Sequence, residues 1–414
     1  MRRFYEAPSR FTFHVSFIKG TTMGSASKAL FATFVAALLL FAGCTALKID
    51  RAGVVSDGDW LTEGFSAQRG HATDGALEPP LEEVWMYNAG AGFGPGSPLI
   101  LGNAVLASTR KGEIHAIDFE TGKRLGIDSF GDLVEGTPII QKGILFIPVG
   151  WGRRALYAYD LSSGQTRWKL KGAPISTGLL ALDDAFVAVD AEAWMRKYNT
   201  ENGEVLWEHA LGDQVTIYAT PVLAGGHIVV ADDQGTVVAL DPDDGAVQWT
   251  QTLPAPVYAS IAANETGLFV PSTRGRFFAL DAAQGRIRWH FTLPDTTVHF
   301  TAPAVDGSLV VVGASDGALR AFDAVTGTLR WTFQNDAALR ATPLLTPQTV
   351  YIGNMAHSLF AIDRETGTLK WEQQLKGRVK SALAARNGYL VVLSEPRFVY
   401  LFKSSSAADD VVSP

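Results

Sequence analysis

The sequence predicts an all-β fold, an eight-bladed β-propeller with four-stranded blades whose last blade is closed by a strand from the N-terminal side. Three observations carry that expectation: a motif that returns about every 40 residues, short β-branched strands within each period, and a tryptophan at one fixed place in nearly every copy. Each copy reads as a small or apolar pair, an Asp, two variable residues and a polar-Gly turn. The Asp or Asn positions are Asp118, Asp160, Asn199, Asp241, Asp281, Asp323 and Asp363, separated by 42, 39, 42, 40, 42 and 40 residues. A period near 40 is the signature of a propeller or a solenoid.

One period shows why the segments are strands. Thr220-Pro221-Val222-Leu223, His227 to Val230, Thr236 to Leu240 and Ala246 to Trp249 are short, rich in Val and bounded by Gly or Asp turns. Four such strands make one propeller blade. In the turn, the Asp side chain can accept backbone hydrogen bonds and the Gly supplies a positive φ. Four residues after that Gly stand Trp168, Trp207, Trp249, Trp289, Trp331 and Trp371, whereas the first copy has Gly126 there. A large ring on an outer strand is expected to pack across to the next blade, an architectural role.

Closure follows from the ends of the repeat. Tyr389 to Leu393 and Phe398 to Phe402 read as strands, and a polar tail, residues 404–414, follows. The missing outer strand is available in Leu81 to Tyr87, which carries Trp85. An eighth blade built from both ends of the repeat removes the free edges of the ring. The expected domains are therefore 1–43 as leader, 44–80 as tether and short cap, 81–403 as propeller and 404–414 as tail.

The leader is an address. Ala29 to Gly43 is a 15-residue run without charge after Lys28, short for a membrane span of about 20 residues and normal for a signal-peptide core. Ala42 and Gly43 before Cys44 resemble the lipobox of bacterial lipoproteins, in which the cysteine is acylated and becomes the mature N-terminus. The other reading is a membrane anchor with an incidental cysteine. Met23 would make a compact signal peptide by itself, so the true start is expected there or at Met1. Thr45 rather than Asp after the cysteine favours the outer membrane over the inner in the enterobacterial pattern.

Composition sharpens the exclusions. Of 414 residues one is Cys, which excludes an internal disulfide and a multi-cysteine metal site. The formal charge is −7; setting aside residues 1–43, with five cations and one acid, leaves the body at −11. An acidic body argues against nucleic-acid binding. The eight histidines form no metal-binding spacing, and His115 reads as a strand residue. Asp241-Pro242-Asp243-Asp244-Gly245 is too short to wrap a calcium ion and reads as a solvated turn.

The Asp-x-x-polar-Gly-x-x-x-Trp unit, repeated this often, resembles the quinoprotein-type (pyrroloquinoline-quinone-like, PQQ-like) propeller repeat, over about residues 58 to 403. Asp59-Trp60, Gln68-Arg69 and Leu77-Glu78-Pro79-Pro80-Leu81 look like the lead-in of these proteins. With a lipobox in front, the chain is similar to the propeller lipoproteins of the outer-membrane β-barrel assembly machine. That resemblance implies a non-catalytic scaffold without cofactor, facing the periplasm, whose protein partner is the barrel insertase or its substrates. The family's insertase-docking stretch, a leucine-rich, arginine-bearing loop after the third blade's Trp, is not kept: here the loop reads Leu211-Gly212-Asp213-Gln214-Val215-Thr216-Ile217-Tyr218. The alternatives are a PQQ-dependent dehydrogenase of the cysteine-free type, since Cys44 alone cannot form that family's cysteine pair, and a lipoprotein that binds a small molecule or peptide.

Two surfaces are candidates for binding. The residue just before each innermost strand is, around the ring, Pro95, Glu135, Ile175, Tyr218, Tyr258, Phe300, Arg340 and Lys380, with His299 beside Phe300. Aromatics next to cations at a channel mouth suit a peptide or an anionic small molecule; equally, such residues can cap the funnel by packing on one another. The loops between second and third strands share that face and carry Trp151, Arg153, Arg154, Trp194, Arg274 and Arg276. The expectation is a basic, aromatic contact face opposite the acidic turns. No catalytic or metal residue is expected, and the propeller is expected to be monomeric.

Overall fold

A computed structural model describes residues 46–405 apart from Arg51 and Asp132. The leader, Cys44 and the tail beyond Ser405 lie outside the described residues. The described residues form eight four-stranded antiparallel sheets arranged as blades in a ring. Blade 1 runs from Leu99–Leu101 to Arg124–Ser129, blade 2 from Ile139–Gln141 to Gln165–Lys171 and blade 3 from Leu180–Ala181 to Val205–Ala210. Blade 4 runs from Val222–Ala224 to Val247–Thr252, and blade 5 from Ala262–Asn264 to Ile287–Thr292. Blade 6 runs from Ala304–Asp306 to Leu329–Gln334, and blade 7 from Leu344–Leu345 to Leu369–Gln374. Blade 8 comprises Ala384–Arg386, Tyr389–Ser394 and Phe398–Ser404, with Leu81–Asn88 as its outer strand. That outer strand pairs antiparallel with Phe398–Ser404, Trp85 opposite Leu401. The inner strands of blades 1 and 8 abut, so the ring is closed.

The repeat motif has a mechanical explanation. In every turn the Gly N–H donates to the carbonyl of the Asp or Asn, as Gly367 to Asp363 at 2.9 Å, while the Asp Oδ1 accepts from the backbone between them. One residue before the Asp, each of blades 1 to 7 has a β-bulge, for instance between Ala361 and Ile362. In blades 2 and 4 to 7 the bulge sets Trp opposite an alanine, as in Ala239 with Trp249 and Ala321 with Trp331, whereas Trp207 of blade 3 faces Lys197; each ring leans onto the following blade. There it covers the turn glycine: a Cβ at Gly245 would stand 2.8 Å from the Trp207 ring, and one at Gly367 would stand 2.7 Å from that of Trp331. The indole N–H donates to the carbonyl just after the next blade's Asp or Asn, at 2.9 Å from Trp85 to Phe119 and from Trp331 to Arg364. Trp168, Trp207, Trp249 and Trp289 do the same.

Blade 1 lacks this ring, and the chain's own N-terminal segment takes its place. Leu47 is fully buried, and a Cβ at Gly126 would come within 2.5 Å of the Ala46 carbonyl oxygen. The Ile49 N–H donates to the Leu161 carbonyl at 2.8 Å, the acceptor that an indole N–H would otherwise use. Tyr159 secures the strap by donating from its hydroxyl to the Leu47 carbonyl at 3.0 Å. Gly126→Trp should therefore evict this segment while restoring the blade contact. We expect trypsin to cut after Lys48 at least about tenfold faster in the variant, because protection reflects the cost of local opening; unchanged cleavage would refute the replacement.

The rest of the segment expected to form a short cap turns into the ring instead. Trp60 bridges Ile100, and the carbonyls of Leu61, Ala67, Gln68, Gly70 and His71 accept from Ile140, Leu223, Ala263, Val305 and Leu345. The chain thus follows the exposed inner edges of six blades and satisfies their otherwise unpaired N–H groups. Phe65, Arg69 and His71 take positive φ of 72°, 55° and 50°, which lets the segment curve within so tight a circle. The result is a plug across one end of the channel, whose flanks are anchored by buried Trp60 and Leu77.

Candidate functional site

The plug converts the channel into a cup that opens at the start of the innermost strands. Its cavity has a volume of about 500 Å3. Glu135, Tyr218, Tyr258, His299, Phe300, Arg340 and Lys380 all line it, whereas Ile175 does not and is fully buried. Below the mouth lies a belt of hydroxyls from residues two positions before the inner strands. The Ser97 N–H donates to Thr137 Oγ1 at 3.1 Å, the Gly178 N–H to Thr220 Oγ1 at 2.9 Å and the Thr220 N–H to Ser260 Oγ at 3.2 Å. These bonds tie blade 1 to blade 2, blade 3 to blade 4 and blade 4 to blade 5.

The floor includes a group that periodicity could not reveal. Glu63 comes from the plug, accepts from Thr137 Oγ1 at 2.9 Å and is ion-paired to buried Arg69. Burial pushes its carboxyl up, but the Arg69 guanidinium and the hydrogen bonds outweigh this and hold it below the ordinary carboxylate value. His71 is pushed down to about 4, chiefly by burial. The only sequence signal for this group was its place beside Gln68-Arg69 in the lead-in.

At the rim, Tyr218 and Tyr258 meet edge to face at 5.2 Å and are each about half exposed. Most rim charges are already neutralised. Glu395 binds both Arg378, at 2.9 Å, and Lys380, at 2.7 Å, while Glu135 binds Arg110 at 2.8 Å. Exposed Arg340 makes no ion pair with a described residue. The cup therefore offers two tyrosine faces, a floor of hydroxyls and one uncompensated cation.

The second candidate surface is more divided than the sequence suggested. Trp151 is 66% exposed at the tip of a blade 2 loop, next to exposed Arg153. Trp194 and Arg196 are not loop residues: they lie in the strand Trp194–Asn199, where Arg196 stacks on Trp194 and pairs with Asp190 and Glu208. Arg154 and Arg276 likewise begin strands, and Arg274 and Arg276 sit on blade 5, away from the Trp151 loop. The same face carries Asp190, Glu192, Asp232, Asp233 and Asp316 in equivalent loops. The expected division into a basic and an acidic face is corrected accordingly: charge varies around the mouth face, with cations over blades 1 and 2 and acids over blades 3 and 4. The opposite turns are also partly neutralised, since Arg167 pairs with Asp160 and Arg330 with Asp323.

With this geometry in view, the comparisons with known proteins are informative. The family model described as outer membrane protein assembly factor BamB matches residues 152–256 and 233–408, more than half of the chain. The chain belongs to this BamB family. A BamB protein of Alkalilimnicola ehrlichii is 25% identical over 164 residues, 37% of this chain and 42% of that relative. The chain thus aligns with about two fifths of the length of the curated relatives it matches. Among solved structures, BamB from Moraxella catarrhalis superposes with a TM-score of 0.64 at 18% identity, covering 78% of this chain and 99% of that one. A quinohemoprotein alcohol dehydrogenase from Comamonas testosteroni gives a TM-score of 0.70 at 16% identity, covering 88% and 83%. These structural likenesses concern the fold.

The dehydrogenase neighbour raises the question of a quinone held with a divalent cation. The donor set does not fit that group. Among the described residues no three His, Cys, Asp or Glu side chains converge, and Glu63, Glu135 and Glu395 are each engaged by a cation. No chemical step is assigned to a quinone here.

Proposed function

We propose that the protein is a lipid-anchored, periplasm-facing propeller scaffold that mediates protein contacts during assembly of outer-membrane β-barrel proteins, and that it is not an enzyme. Family membership over residues 152–408 carries the reading. The rigid ring, its neutralised acids and its exposed aromatic loops support it. Cys44, in a lipobox-like setting, would be the acylated residue. The contact surface is the blade 2 part of the mouth face, where an exposed Trp stands beside two Arg, residue types enriched in interfaces.

Combined replacement of Trp151, Arg153 and Arg154 by Ala is expected to lower recovery of the barrel insertase in a pull-down by about tenfold. The melting temperature should change little, because Trp151 and Arg153 are exposed. Undiminished recovery would reject this surface.

A second reading, that the cup captures an extended peptide, is favoured by unpaired Arg340 lining the same cavity as Tyr218 and Tyr258. A photo-crosslinking residue in place of Tyr258 is then expected to trap polypeptide in growing cells. Absence of any adduct would leave the rim as a lid packed on itself.

A further inference from the structure

The outer edge of blade 2 differs from the other seven. In Gln165–Lys171, Trp168 and Leu170 turn inward, and Arg167, Lys169 and Lys171 stand exposed in a row, about 7 Å apart along the strand. No other outer strand carries three cations. The corresponding positions are Gln248, Thr250 and Thr252 in blade 4, and the outer strand of blade 8 is acidic through Glu82 and Glu83. Arg167 pairs with Asp160, but Lys169 and Lys171 make no ion pair with a described residue. This basic edge belongs to a body whose formal charge after residue 43 is −11.

A second observation places the first described residues beside the turn that opens this strand. The strap that replaces the missing tryptophan lies between the outer strand of blade 1 and the turn of blade 2, with Leu47 buried against Gly126 and Gly164. Cys44 is three residues before Leu47, a reach of at most about 10 Å. The segment expected to be a tether and short cap is thus taken up by the fold from Leu47 onward.

We propose that the blade 2 edge is a membrane-contact surface, with Lys169 and Lys171 binding the phosphates of anionic lipid headgroups. The proposal rests on acylation of Cys44 for the nearness of the bilayer, whereas the attraction of the edge for anionic lipid stands on its own charge. One acylated residue holds the protein at the surface, and the lysines turn this edge toward it. Each lysine near an anionic surface strengthens binding about fivefold, so losing both weakens the contact about 25-fold.

The test uses the acylated full-length protein in vesicles containing phosphatidylglycerol, with a fluorophore on a cysteine replacing either Thr166 of blade 2 or Thr332 of the opposite blade 6. Quenching by headgroup-labelled lipid should be severalfold stronger at position 166. The difference should vanish with Lys169→Glu and Lys171→Glu, and in pure phosphatidylcholine. Equal quenching at the two positions overturns the proposal, as does a difference that survives the double replacement; the lysines then serve only to keep an exposed strand edge from pairing. Radiolabelled palmitate reports the anchor separately. If it is not incorporated, the anchoring reading fails, and co-sedimentation of the full chain with anionic against neutral vesicles decides the edge alone. Binding that the double replacement leaves unchanged refutes it.

Discussion

Replacing Arg69 with leucine is expected to destabilise the propeller by about 3–5 kcal/mol, the usual cost of stranding one member of a buried ion pair. Arg69 is 2% exposed and Glu63 7%, so the pair is buried at the floor of the cup. The loss should propagate, because the plug carbonyls on either side satisfy the inner edges of six blades. The double variant Glu63→Leu with Arg69→Leu should recover much of the stability, since no charge is left unpaired. Urea midpoints at neutral pH measure both. A double variant as unstable as the single one would mean that the packing of Arg69, and not its charge, holds the plug.

The same cluster gives stability a pH dependence whose sign can be worked out. In the unfolded chain the His71 imidazole takes up a proton near 6.5, but in the folded protein only at about 4, with Glu63 and Arg69 facing it. Between those values the unfolded state binds more protons, so stability falls as pH drops. The slope is about 1.4 kcal/mol per pH unit, roughly 3 kcal/mol across the window. The Glu63 carboxyl, held low, adds in the same direction: its contribution is present above its unfolded value and lost as pH falls through the folded one. His71→Phe should flatten the melting curve against pH between about 6.5 and 4, and an unchanged slope would assign the acid sensitivity elsewhere.

Trp331→Ala is expected to cost about 3–5 kcal/mol, the range for removing a large buried aromatic side chain. The ring is 7% exposed between blades 6 and 7, and its indole N–H is the donor to the Arg364 carbonyl. Trp331→Phe keeps most of the ring area and loses that bond, for a smaller cost of about 1–2 kcal/mol. Gly367→Ala attacks the same contact from the other side: φ is +73° and the new Cβ would press on the ring. If Trp331→Ala and Trp331→Phe have the same denaturant midpoint, the ring is not the inter-blade wedge described above.

Much of this architecture can be read without coordinates because its causes are local and repeated. The Asp and Gly of each turn act within five residues, and in blades 2 and 4 to 7 the Trp four residues after the Gly lands opposite an alanine beside the bulge. Closure by Leu81–Asn88 follows from the count of strands. The mouth residues were legible for the same reason: they occupy one register position before each inner strand, and ring geometry brings them together.

The plug, the strap and the balance of rim charge were not legible. The lead-in between Trp60 and Thr73 has no strand or helix period, and its conformation depends on a circle of inner-edge N–H groups that exists only once the blades have assembled. Leu47 replaces a tryptophan that the sequence shows only as absent, at Gly126. Lys380 looked like a free cation until Glu395 arrived from the next hairpin at 2.7 Å, while Arg340 kept its charge unpaired. The amino-acid sequence by itself determined how many blades there are, how each is built and where the ring closes, because the first two rest on contacts within one repeat and the last on the count of strands left at its two ends. Only the tertiary structure decided what fills the channel, which rim charges remain available and what takes the place of the missing tryptophan of blade 1, because those depend on groups far apart in the chain meeting after the ring has formed.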